Sequence, residues 1–216
     1  MIRVMSKEEA LQDLLEQHVF DRWQSDLPEI DERYRQEKEQ IERRFLEAIE
    51  AVFRQAAKLQ EEGRKGSIHY VYISFLRTNI MANTAHYRID AYDDNWFLDL
   101  EECASSWSAD FIFAPLFRRM EELEEKRKAY ARKITPMDIE KIKLIEAYKY
   151  HLLTVEWIRG FVPSLIESEA YRQMDKSAKL QLFVGEYKDQ CELLYEPPGG
   201  GDDGRAIEAT NDGAVQ

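Results

Sequence analysis

A break in the hydrophobic period at Gly63 constrains this chain more than any other feature. Before it, apolar residues recur every three or four positions within a highly charged background, the pattern of amphipathic helices. After it, residues 64–113 carry ten aromatic side chains, from Tyr70 to Phe113, and include a stretch with a period of two. A chain of this kind builds a helical scaffold first and sets an aromatic-rich segment on it.

The helix signals are specific. Ser6 followed by Glu9 is a capping box, and Leu11, Leu14, Leu15 and Val19 then fall on one face. Pro28 ends that helix at Leu27 and starts a second, extended to about Glu62, whose stripe is Ile30, Tyr34, Ile41, Phe45, Ile49, Val52, Ala56 and Leu59. Glu29/Arg33, Asp31/Arg35 and Glu39/Arg43 support it as i,i+4 ion pairs. Between Glu32 and Arg44 the stripe thins to Tyr34 and Ile41, the width of a seam that pairs with a narrow partner. Gly63 reads as a helix C-cap and Ser67 as a new N-cap. The Gly63–Ser67 segment lacks the spacing of a phosphate-binding loop.

Ile68, Val71, Tyr72, Phe75, Leu76, Asn79 and Ile80 match helical spacing, which predicts a third helix. From Ala85 to Asp99 the period becomes two. Ala85, Tyr87, Ile89 and Ala91 alternate with His86, Arg88, Asp90 and Tyr92; Asp93-Asp94-Asn95 supplies a turn, and Trp96-Phe97-Leu98 returns as the second strand of a hairpin. Another helix begins near Ala114. Thr135-Pro136-Met137-Asp138 opens a long, nearly all-apolar one that Pro163 ends or kinks. A last helix is expected from Asp175 to Tyr195. The expected fold is therefore mainly α: a bundle of five to six helices, several of them long, with one small β-hairpin (about 85–99) packed on it. Residues 1–196 form one domain, and 197–216 a disordered acidic, Gly-rich tail.

Composition narrows the function. Thirty basic against 42 acidic residues give a net charge of −12, which disfavours binding to a phosphate backbone. The longest apolar run, Phe111 to Phe117, is far short of the ~20 residues of a membrane span. The N-terminus lacks an apolar signal core. Cys103 and Cys191 stand alone, without CxxC spacing or a neighbouring His, as free thiols of a cytoplasmic protein do. No residue pattern matches Glu-x-x-His, HExxH, GxSxG, GxGxxG or an EF-hand loop, so no catalytic residue, metal or cofactor is expected.

Two functional readings follow. In the first, the chain is a non-catalytic interaction or regulatory protein whose contact surface is the long charged helix, with Tyr34, Ile41 and Phe45 meeting a protein partner or a second copy. In the second, it is a ligand-binding domain or enzyme. There the polar hairpin face places His86, Arg88 and Asp90 side by side at about 6.6–7 Å, near Arg77, Tyr92 and Trp96, and Arg88 offers its fork to an anionic small molecule. Mutual neutralisation of Arg88 and Asp90 is the plainer reading of the same face. For His69 and His151, beside tyrosines in apolar segments, a satisfied core histidine is the plainer reading.

Overall fold

The computed structural model describes residues 5–198. The expected tail therefore lies, apart from its first two residues, outside the described residues. The fold is mixed α/β, not a helical bundle: among the described residues six α-helices accompany a five-stranded mixed sheet in the order β3 (Ala104–Ser108), β2 (His86–Tyr92), β1 (Ile68–Phe75), β4 (Lys176–Glu186), β5 (Cys191–Tyr195). This corrects the all-α expectation. Among the described residues no helix is long and apolar enough to cross a membrane.

The helical scaffold starts where its caps lie, but the first helix ends at His18, well ahead of Pro28, and a 3-10 turn, Arg22–Asp26, fills the interval. Helix α1 (Lys7–His18) opens on Ser6 with both bonds of the capping box formed. Helix α2 (Leu27–Glu61) carries Pro28 in its first turn. It ends on a Schellman motif: Gly63 adopts φ +67°, its N–H donates to Gln60 O at 2.9 Å, and Arg64 N–H donates to Leu59 O at 2.9 Å. A Cβ at Gly63 meets nothing within 4 Å, so only the left-handed backbone opposes a side chain there. Gly63→Ala is expected to lower stability by about 1 kcal/mol, read as a small drop in the urea midpoint with an unchanged slope. Helix α4 (Asp110–Lys126) begins four residues ahead of the expected Ala114, with Pro115 near its start. Helix α5 (Pro136–Ile166) has Thr135 and Asp138 as a second capping box and runs on through Pro163. Of the expected pairs on α2, Asp31/Arg35 forms; Arg33 and Arg43 instead reach Glu37 and Glu47, one turn further on.

Two segments read as helices are strands. Ile68–Phe75 is β1, followed by the short helix α3 (Arg77–Met81), and Lys176–Glu186 with Cys191–Tyr195 are β4 and β5, reached through the short helix α6 (Glu169–Gln173). Strand β1 is central, pairing with β2 (His86–Tyr92) on one side and β4 on the other. Most of its residues are buried on both faces, and such a strand reads as a continuous apolar run that periodicity cannot separate from a helix. Strand β2 lies where the period of two puts it. Its antiparallel return is β3 (Ala104–Ser108), and Trp96–Leu98 is a 3-10 turn within the connection. Ser67, expected as an N-cap, leads into β1.

The helices pack on the sheet face bearing Val71, Ile73, Phe75, Tyr87, Ile89, Leu182 and Val184, and the core lies between these layers. Trp107 of β3 belongs to this side, stacked on Trp157 with centroids 5.2 Å apart. At the other edge, Gly185 lies so close to its hairpin partner that a Cβ would stand 2.2 Å from Gln190 O. Helix α5 exposes more apolar surface than its sequence predicts, at Met137, Ile145, Tyr148 and Leu152.

Candidate functional site

Strict alternation along β1, β2 and β4 sends a second set of side chains to the sheet face away from the helices. The register sets Tyr70 beside Tyr92, Tyr72 between Asp90 and Phe183, and Ser74 beside Arg88. The result is an aromatic surface. Tyr72 stacks on Phe183 with centroids 5.0 Å apart and planes at 15°. Phe97 leans on both Tyr72 and Tyr92, at 5.5 and 5.3 Å, and Trp96 stacks on Phe97 at 4.6 Å. The Trp96 indole N–H donates to the Tyr72 hydroxyl at 3.0 Å. Burial pushes the Tyr72 phenol up to about 12, so it stays neutral.

The loop between β2 and β3, residues 93–103, presents Trp96 and Phe97, and it is held from below. Lys65, just after the α2 cap, is wholly buried and forms an ion pair with the buried Asp99 carboxylate; its ammonium also donates to Glu101 O at 2.7 Å. Asp99 accepts in addition from Asp93 N–H at 3.1 Å and Glu101 N–H at 3.0 Å. Asp93 in turn accepts from Asn95 N–H at 2.9 Å, the turn chemistry its sequence implies. On this frame Trp96 adopts φ +56°, a left-handed conformation costing a bulky residue roughly 1–3 kcal/mol. It remains 37% exposed, and Leu98 and Leu100 on the same loop are 82% and 95% exposed. Next to this loop Lys188 lies over the rings of Phe97 and Tyr187, at 5.3 and 5.4 Å.

The residues singled out from the sequence are only partly brought together. Tyr92 and Trp96 belong to the aromatic surface. Arg88 is beside it, but its guanidinium is engaged: Nε donates to both Asp90 oxygens at 2.9 Å, and Nη2 to Glu102 at 2.5 Å. Asp90 is 2% exposed, and burial lifts its carboxyl above the ordinary value against the pull of Arg88. The ion pair is therefore internal to the sheet. His86 is at the far end of β2, its Nδ1 3.3 Å from Ser106 Oγ. Arg77 is outside the group; it pairs with Glu186 at 2.7 Å, on the groove lined by Ile145 and Tyr148 of α5.

Tyr34, Ile41 and Phe45 do not form a free seam. Phe45 is fully buried against Trp107, Trp157 and Phe161, and Ile41 is 7% exposed. Tyr34 donates to Glu42 at 2.7 Å and stacks on Phe111. The narrow stripe on α2 meets this chain's own α4, α5 and β3. Tyr70, Tyr72, Phe183 and Tyr187 were missed because their segments read as helices; Tyr70 and Tyr72 alternating with Val71 and Ile73 was the available signal.

Among the described residues no group of three or more His, Cys, Asp or Glu is placed to hold a metal ion. His151 is buried within the core, where its Nδ1 shares a 2.8 Å hydrogen bond with the Tyr87 hydroxyl. Comparison of the chain with protein-family models, with characterised proteins and with solved structures finds no match, so what the aromatic face does is argued from its own chemistry.

Proposed function

We propose that this chain is a non-catalytic recognition protein that binds a protein partner through the open aromatic face of its sheet. The observation that carries the reading is Trp96. An indole held in a left-handed backbone, tied to Tyr72 by its N–H and still 37% exposed, is ordered in advance for contact rather than for the core. Tyr and Trp surrounded by a polar rim are the composition of interface hot spots. The rim here is Arg88 with the exposed Glu102, together with Lys188. Because Arg88 already holds two carboxylates, the face suits a protein surface better than an anionic small molecule. Ile41 and Phe45 being buried, contact through the apolar stripe of α2 is not favoured, for a homodimer or any other partner. Two free cysteines, Cys103 buried and Cys191 exposed, fit a reducing, cytoplasmic setting.

The test compares two baits, the native chain and Trp96→Ala, in affinity purification from cells that express the protein, followed by calorimetric titration of the purified partner. Trp96→Ala should weaken the partner at least tenfold while near-UV circular dichroism shows the core intact. Equal recovery and equal affinity with both baits would refute the reading.

A further inference from the structure

A second surface is built on the edge of the sheet. Strand β3 is an edge strand, and a groove of about 540 Å³ runs along it against α2. Four successive strand residues, Ser105 to Ser108, form one wall; Ile41, Arg44, Ala48 and Ala51 of α2 contribute to the other. The groove is open where Ser105, Ser106 and Ser108 face Ala48 and Ala51, all of them small: Ser105 donates to Ala48 O at 2.7 Å, which draws strand and helix together without filling the space beside the edge. Both ends are tied. Arg33 reaches Asp110 O at 3.4 Å and Gln55 reaches Glu102 O at 2.9 Å.

The ladder with β2 determines which backbone groups line the groove. Ala91 N–H donates to Cys103 O and Ala109 N–H to Ala85 O, in the same register as the pairs Ile89–Ser105 and Tyr87–Trp107. Antiparallel pairs alternate between bonded and non-bonded. Ser105 and Trp107 thus bond inward to β2, while Ala104, Ser106 and Ser108 turn their N–H and C=O groups outward. The charges on the helix wall are unequal. Arg33 pairs with Glu37 and Arg43 with Glu47. Arg44 is exposed and, among the described residues, faces no carboxylate within ion-pair distance.

We propose that this groove binds a short extended peptide segment of another protein, which adds to β3 as a sixth strand and sets an Asp or Glu side chain against Arg44. Outward backbone groups supply the affinity and the unpaired guanidinium the selectivity. The segment is about five residues, ~17 Å, to match β3. A second copy pairing β3 with β3 offers Arg44 no acid within Ala104–Ser108, its acids Glu102 and Asp110 lying outside the paired strand.

Random nonapeptides displayed on phage and panned against the full chain test the proposal, with the best clone synthesised, labelled and titrated by fluorescence anisotropy. The expected peptides alternate β-branched or aromatic residues and carry one acidic position. Ser106→Pro removes an outward N–H and leaves the β2 ladder whole, and should weaken binding at least ~tenfold. Arg44→Glu, an exposed change that cannot harm the core, should weaken the acidic peptide at least ~tenfold and reselect basic ones. The Arg44→Glu result stands by itself if Ser106→Pro fails to fold. The proposal is overturned if no peptide binds the native chain, or if both variants bind as the native chain does. Self-association abolished by Ser106→Pro would also overturn it, since the groove would then hold a second copy. None of these outcomes bears on Trp96, which is on the other face.

Discussion

Lys65→Met should destabilise the chain by about 3–5 kcal/mol, more than any surface substitution, and should release the loop that presents Trp96. The Lys65 ammonium and Asp99 carboxylate are both buried, with side-chain exposures of 0% and 3%. Removing one partner leaves the other charged in a low-dielectric site, which is far worse than never having had the pair. Asp99 would also have to keep accepting from Asp93 and Glu101 N–H without its counterion. Replacing both, as Lys65→Met with Asp99→Asn, should recover much of the loss, and the double-mutant cycle isolates the coupling. Urea unfolding of the four proteins checks this. A loss under 1 kcal/mol for Lys65→Met would mean that the pair is not buried as described.

The second large effect is the response to acid. His151 is 4% exposed, in contact with Phe75 at 4.9 Å between centroids, and bonded to Tyr87. Burial pushes its imidazole down to about 4 from an ordinary 6.5. Between those values the unfolded chain takes up a proton that the folded chain refuses. Stability is therefore full above about pH 6.5 and falls as the pH drops towards 4, by about 3 kcal/mol for this one group. His151→Gln has no proton to take up and should lose about 3 kcal/mol less than the native chain between pH 7 and 4. Asp138, held down to about 2 by the Thr135 cap, acts only below that window and is common to both proteins. Parallel stability–pH curves for the two would show that His151 is not excluded from protonation.

The scaffold was legible where local chemistry decides it. Ser6 with Glu9, Thr135 with Asp138, and Gly63 each satisfy helix-end groups within a few residues, and α1, α2 and α5 begin or end at them. The sheet was legible only in β2, where Tyr87, Ile89 and Ala91 alternate with the polar His86, Arg88 and Asp90. Strand β1 has apolar side chains on both faces, and Leu180, Leu182 and Val184 of β4 alternate within a sequence whose other residues also fit a helix. Strand β3, Ala-Ser-Ser-Trp-Ser, has one large side chain and gives no pattern of its own; it is a strand because β2 needs a partner. The site inherits these failures. Tyr92 and Trp96 were within reach from one legible strand and its turn, whereas Tyr72 and Phe183 come to them only through pairings of β1 with β2 and β4. The neutralisation of Arg88 by Asp90 followed from their i,i+2 positions on one face.

Recognition through the open sheet face is tested most directly by amide hydrogen exchange of the chain alone and saturated with its partner. New protection is predicted at residues 70–72, in the loop from Asp93 to Leu100, and at residues 183–188, with α5 unchanged. Protection confined to α5, or absent from the Trp96 loop, would contradict it.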